Sequence, residues 1–193
     1  MVRPREFDRD EVLDRALRVF WEKGYAATST DDLLGAMNIG RQSLYNTFGD
    51  KRGLYLEALQ RYSLNSVSTH IARLRGAASP LAGIEALLSG LIEDGCGGQA
   101  LGCLGVNAIC EFGTSDAGLR ALGERVAPVL EHALAEAIGD GQRRGEIDPA
   151  LDARAAAGFV QIAMQGLQVA ARAGTAAEAL HGIASFTVER LRA

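Results

Sequence analysis

The chain has 193 residues, 48% of them hydrophobic and 23% charged, with 20 Lys and Arg set against 24 Asp and Glu for a net charge of −4. A chain this long buries about 70% of the surface that its unfolded form exposes, so its core needs no disulfide staple, and the composition excludes a mainly disordered tail, a collagen-like repeat and a multispan membrane protein. Residues 1–52 carry nine basic and nine acidic side chains, which leaves the whole −4 to residues 53–193 and excludes a basic blanket that attracts phosphate indiscriminately.

Helical periodicity and capping signals recur throughout, and runs of strand type are absent, so the chain reads as all-α with about nine helices. Asp8 is placed to cap a first helix, with Glu11 closing a box-like pair and Phe7 stapling onto Val12. Gly24 ends that helix as a left-handed cap. Ser29, with Asp32 three residues on, opens a second helix that ends at the Asn38-Ile39-Gly40 turn. A short third helix covers about Arg41 to Phe48, and Asp50 caps a long fourth one. Pro80 suits the first turn of a fifth helix, which ends near Asp94 before the Gly95-Cys96-Gly97-Gly98 loop.

A shorter helix covers about Leu101 to Phe112. Ser115-Asp116 starts a long one to about Gly141, bent at Pro128, whose ring removes a backbone donor. Asp148-Pro149 reads as a cap and first-turn proline launching a helix to about Arg172, and Thr175 as the cap of the last. The Asp148–Arg172 helix is apolar or small nearly all round. Leu151, Ala155, Phe159, Ile162, Gly166 and Val169 follow one line, and Val160, Met164, Leu167 and Ala171 another. One side is expected to meet the core and the other a second copy, with small Ala156, Ala163, Gly166 and Ala170 allowing close approach. With the last helix this predicts a four-helix dimer interface.

Two short helices joined by a three- or four-residue turn and packed by a first helix have the pattern of a helix-turn-helix. The wording of the residues carries this further: Phe20-Trp21-Glu22-Lys23-Gly24-Tyr25-Ala26-Ala27-Thr28-Ser29, then Asp32-Leu33, then Ser43-Leu44-Tyr45-Asn46-Thr47-Phe48-Gly49-Asp50-Lys51. Over about Phe7 to Leu59 this closely resembles the DNA-binding domain of tetracycline-repressor-like (TetR) transcriptional regulators. The resemblance implies an all-helical homodimer with an N-terminal three-helix bundle containing the helix-turn-helix in residues 1–52, and a C-terminal ligand-binding and dimerisation domain in residues 53–193. Helix 4 connects them. It also implies repression of a double-stranded DNA operator, relieved by a small-molecule effector. At Thr47 the family more often carries a histidine and at Asp50 a serine, so the chain departs there.

Roles follow from side-chain chemistry. Arg41 offers two donors to a guanine edge and Gln42 a matched pair to an adenine edge, so these two set sequence preference. Ser43 and Asn46 reach bases or phosphate, while Thr30, Tyr45 and Thr47 suit phosphate oxygens through single hydroxyls. Lys51 adds charge at the start of helix 4, and Arg3 and Arg5 form an arm that follows the backbone or minor groove. Trp21 and Tyr25 are assigned to packing.

In the second part, polar groups among apolar neighbours mark the expected ligand site: Cys103, Asn107, Cys110 and Glu111, together with Phe159, Gln161, Met164, Gln165 and Gln168. His70, His132 and His181 read as surface or packing residues. An alternative is a thiol-, redox- or metal-responsive regulator using Cys103 and Cys110. Another is a helical ligand-binding module without DNA binding. No complete protease, hydrolase, phosphate-loop or dinucleotide motif occurs, so no enzyme, cofactor or metal is expected. The charged start, the odd cysteine count of 3 and the absence of an apolar run near the roughly 20 residues of a membrane span point to the cytoplasm.

Overall fold

Nine α-helices and no strand form among the described residues, 7–96 and 101–193 of a computed structural model. The Arg3–Arg5 arm and the glycines at 97 and 98 lie outside those residues, as does the side chain of Cys96. Helices α1 (Arg9–Lys23), α2 (Thr30–Met37) and α3 (Arg41–Phe48) form the N-terminal bundle, closed by the start of α4 (Lys51–Gly76). Then follow α5 (Pro80–Cys96), α6 (Leu104–Phe112), α7 (Ala117–Arg143), α8 (Ala153–Arg172) and α9 (Ala177–Glu189). No helix among the described residues is long and apolar enough to cross a membrane.

Local chemistry accounts for most of the helix ends. The Asp8 carboxylate accepts from the backbone N–H of Asp10 and Glu11, and Ser29 and Asp32 form a reciprocal capping box that satisfies two otherwise orphaned donors. Glu11 does not complete the box expected at α1, because its carboxylate pairs instead with Arg15 one turn on, at 2.6 Å. Gly24 has the expected positive φ of 78° but an extended ψ of 172°, so it turns the chain away rather than closing a left-handed cap. Helix α7 runs through Pro128 without interruption.

Three expected starts are corrected. Helix α6 begins at Leu104, because the backbone at Cys103 is extended and the Leu101 carbonyl is taken by the side chains of Asn107 and Arg172. Helix α8 begins at Ala153, capped by Asp152, and not at Asp148-Pro149. Residues 148–151 are instead a turn pinned from both sides: the Asp148 N–H donates to Leu191 O, and the Gln142 amide donates to the carbonyls of Asp148 and Leu151. Helix α9 follows Ala176, whose methyl side chain has no acceptor to cap it; Thr175 stands one residue before the cap position, its backbone N–H donating to Ala170 O at the end of α8.

Two apolar clusters result. The first joins Phe20, Leu33, Leu44 and Tyr55 from the N-terminal bundle and α4 to Leu104, Ala108 and Leu122 from α6 and α7. The second is built by the end of α4 with α5, α7, α8 and α9 around residues such as Leu74, Ile84, Leu88, Leu134 and Val160. Fully burying each large side chain of this kind contributes about 1.5–3 kcal/mol. Because α6 and α7 contribute to the first cluster, the N-terminal bundle rests on the same helices that wall the cavity described next.

Candidate nucleic-acid interface and ligand cavity

Helix α3 has two faces. Leu44 and Phe48, four residues apart, are buried in the first cluster, which turns Arg41, Gln42, Tyr45 and Asn46 outward and leaves them exposed. Ser43 and Thr47 are half-buried at the edge, and so is Thr30 in the first turn of α2. The Arg41 guanidinium donates to Asp31 on α2 at 2.7 Å, and the Gln42 amide donates to Asn46 at 2.9 Å. Lys51 is half-buried, with its ammonium 4.2 Å from the centre of the Tyr25 ring. Asp31 as the partner of Arg41 escapes the sequence reading, because it stands in the first turn of α2, ten residues before Arg41 and at the far end of that helix from the turn to α3.

A cavity of about 300 Å³ lies between α4, α6, α7 and α8. Of the expected ligand residues, Cys103, Gln161, Met164, Gln165 and Gln168 line it. Asn107, Cys110 and Glu111 do not: they face a second recess between α6, the end of α8 and the turn after α1. Phe159 lines neither. It lies on the outer face of α8, because the helix turns Val160 and Met164 inward. Cys103 and Cys110 are free thiols, and no group of three or more His, Cys, Asp or Glu able to hold a metal occurs among the described residues.

Helix α4 supplies a wall that the sequence reading missed. Tyr62, Ser66 and His70 recur at intervals of four and point into the cavity. His70 is 7% exposed and its Nε2 lies 3.0 Å from Ser66 Oγ, while its Nδ1 is buried without a partner. Burial, aided by the nearby Arg73 and opposed by Asp94, lowers the His70 pKa and favours the neutral ring. Burial and the neighbouring Cys103 raise the Tyr62 pKa, so the phenol keeps its proton. The four-residue polar spacing inside an apolar helix face was visible in the sequence.

Polar links tie the cavity wall to the N-terminal bundle, among them a bond from the Trp21 indole N–H to the Gly102 carbonyl at 2.9 Å. The Glu111 carboxylate, in the last turn of α6, accepts from the backbone N–H of Tyr25 at 3.0 Å and of Ala26 at 2.6 Å. Gly24 supplies the φ of 78° that brings these two donors to the carboxylate, a backbone conformation that a side chain would strain even though its Cβ would meet the carboxylate at no closer than an ordinary contact of 3.4 Å. At the other end of the short connection, Asp116 caps α7 and accepts two bonds from Arg52 of α4, at 2.9 and 2.8 Å. The Arg52 guanidinium and the capping N–H groups hold the Asp116 pKa down to about 2 from its ordinary 3.8.

A depressed carboxylate stabilises the fold above its ordinary pKa, and this contribution is lost as pH falls through the folded value. The Arg52–Asp116 link should therefore persist down to about pH 2. In Arg52→Ala the Asp116 carboxyl should titrate nearer its ordinary value by carboxyl-detected NMR. An unchanged midpoint would show that the helix cap alone sets it.

A third surface is apolar. Phe159, Ile162 and Val169 on α8 and Ile183 and Phe186 on α9 are exposed, Ile162 by 69% and Phe186 by 62%. Ala163 and Ala170 are half-buried and Gly166 is exposed on α8, whereas Ala156, expected on the same outer side, packs into the second cluster.

Comparison with known proteins agrees with this geometry. Residues 12–58 match the family described as bacterial regulatory proteins, tetR family, and residues 81–186 match the family described as tetracyclin repressor-like, C-terminal domain. The HTH-type transcriptional repressor ComR of Escherichia coli (strain K12) is 34% identical over 192 residues, covering 96% of this chain and 90% of its own. The HTH-type transcriptional regulator YezE of Bacillus subtilis (strain 168) is 34% identical over 155 residues, covering 76% of this chain and 78% of its own. A solved structure of the TetR family regulator CifR, a cysteine mutant complexed with 26-bp double-strand operator DNA, matches with a TM-score of 0.79 at 29% identity, covering 98% of this chain and 99% of that one.

Proposed function

The chain belongs to the TetR family of bacterial regulatory proteins, and we propose that it is a transcriptional repressor that grips a palindromic operator as a homodimer and is released by a small molecule in its cavity. The observation that carries this reading is the division of α3 into a buried row, Leu44 and Phe48, and an exposed row, Arg41, Gln42, Tyr45 and Asn46. An eight-residue helix presented in this way fits the major groove, which admits a helix and displays distinct donor and acceptor patterns for each base pair. In this reading Ser43 and Thr47 flank the base contacts, and Thr30, Tyr45 and Lys51 hold phosphates. We place the DNA-reading unit in residues 1–52 and the ligand and dimer unit in residues 53–193, with α4 as connector, and take the protein to act in the cytoplasm without catalysis.

Release follows from the links at Glu111 and Asp116. Helices α6 and α7 wall the cavity and also hold the turn at residues 24–26 and the start of α4. A ligand that fits the cavity better when α6 is displaced moves the reading unit with it. It shifts the population off DNA only by its differential affinity for the two arrangements. The Glu111 carboxylate, bonded to two backbone donors, is the group through which that displacement is felt.

Fluorescence anisotropy of a labelled random duplex at two salt concentrations tests the DNA-binding claim. If the protein meets phosphate through Thr30, Tyr45 and Lys51, affinity should fall steeply as salt rises. Absence of binding at low salt, or binding indifferent to salt, would refute the reading.

A further inference from the structure

The cavity has two polar rows facing each other across an apolar middle. On α4 the row is Tyr62, Ser66 and His70; on α8 it is Gln161, Gln165 and Gln168. Between them lie residues such as Val126, Leu130 and Met164. Among the described residues that line it there is no Asp or Glu, and Arg120, on an exposed stretch of α7, is the one with a permanent charge.

Apart from Arg120, its polar groups are neutral and have capacity to spare. No side-chain hydrogen bond to Gln161, Gln165 or Gln168 forms among the described residues, and a primary amide both donates and accepts. His70 is 93% removed from solvent and has one ring nitrogen without a partner. Burial keeps its ring neutral, as it keeps the Tyr62 phenol protonated. A cation entering this space finds no carboxylate among the described lining residues, and an anion finds only Arg120, an exposed guanidinium whose attraction water screens. Either ion loses its water without a matching charge, which costs far more than moving a neutral polar group onto hydrogen-bonding partners.

We propose that the effector of this cavity is an uncharged, mainly apolar molecule carrying a hydrogen-bonding carbonyl or hydroxyl, held between the α8 amides and the Tyr62–Ser66–His70 row, and that the cavity rejects organic cations and carboxylates of the same size. This rests on the repressor reading for its consequence at DNA, but not for the binding preference itself. The volume of about 300 Å³ sits at the low end of small-molecule sites, about 300–1,000 Å³, and so favours a compact body of one or two fused rings over a long chain or a larger polycyclic body.

A matched naphthalene series tests it. The full chain is titrated calorimetrically with 2-acetylnaphthalene, 2-naphthoate and 2-naphthyltrimethylammonium, three probes with one apolar body and charges of zero, minus one and plus one. The neutral probe should bind at least about tenfold more tightly than either ion. Gln161→Glu, which places a carboxylate on the cavity wall at a half-buried position, should shift the preference toward the cation by about tenfold or more. Equal or tighter binding of either ion, no binding of any probe, or an unchanged preference in Gln161→Glu would overturn the proposal. Binding of a labelled duplex, measured on the same samples without probe, reports separately on the repressor reading: its failure leaves the charge preference standing, and the reverse also holds.

Discussion

Ile162→Asp should leave the chain helical but monomeric at about 10 μM, and weaken its complex with a palindromic operator by about two to four orders of magnitude. The residue is 69% exposed, so the carboxylate meets water in the isolated chain and the fold has no reason to fail. If the exposed apolar residues Phe159, Val169, Ile183 and Phe186 form the dimer face with Ile162, two carboxylates brought together there across a two-fold axis are desolvated and repel. Large apolar residues left exposed together on two packed helices, α8 and α9, are what a partner-covered face presents. Loss of the dimer removes the second half-site from the effective concentration of the first, which is why the operator loss exceeds that of any single base contact. Light scattering and circular dichroism read the first two outcomes, and anisotropy the third. A variant that stays dimeric, or a monomer that holds the operator undiminished, would contradict the assignment of this face.

Arg41→Ala is the second large effect: about 1–3 kcal/mol on the selected operator, with preference at one base pair blurred, and much less on random duplex. In the free protein Arg41 is paired with Asp31 at 2.7 Å, both side chains being exposed at 56% and 82%. A pair so wetted is worth about 0–1 kcal/mol, less than a two-pronged contact to guanine, so DNA displaces Asp31 rather than being blocked by it. Gln42→Ala should behave like Arg41→Ala at a neighbouring base. Lys51→Ala should weaken all duplexes alike and reduce the salt slope by about one. Equal losses on operator and random duplex for all three would mean that α3 does not read sequence.

What the sequence discloses and what it withholds divide along contact range. The bounds of α3 are written in its own neighbourhood, with glycine on each side and Leu44 and Phe48 at the right interval, and the caps at Asp8, Ser29 and Asp50 act within three residues. Helix α8 was misplaced because its start depends on distant partners: the 148–151 turn is held by Leu191 at the chain end and by Gln142 of α7. Proline after aspartate fits such a turn as well as a helix start. Glu111 shows the same limit at the site. Its place beside Cys110 suggested a ligand group, yet its carboxylate crosses to backbone donors 85 and 86 residues away. His70 read as surface or packing by composition, but the spacing with Tyr62 and Ser66 put it on the cavity side of α4. The polar row on α8 was legible because its three glutamines repeat at helical intervals among apolar residues.

Selection of bound sequences from a random duplex pool tests the central claim most directly. Two copies of α3, each offering Arg41 and Gln42, should recover a palindrome whose half-sites are centred about one helical turn, roughly 34 Å, or a multiple of it apart, with guanine and adenine prominent in each half. Recovery of sites with no two-fold symmetry, or no enrichment over the starting pool, would contradict it.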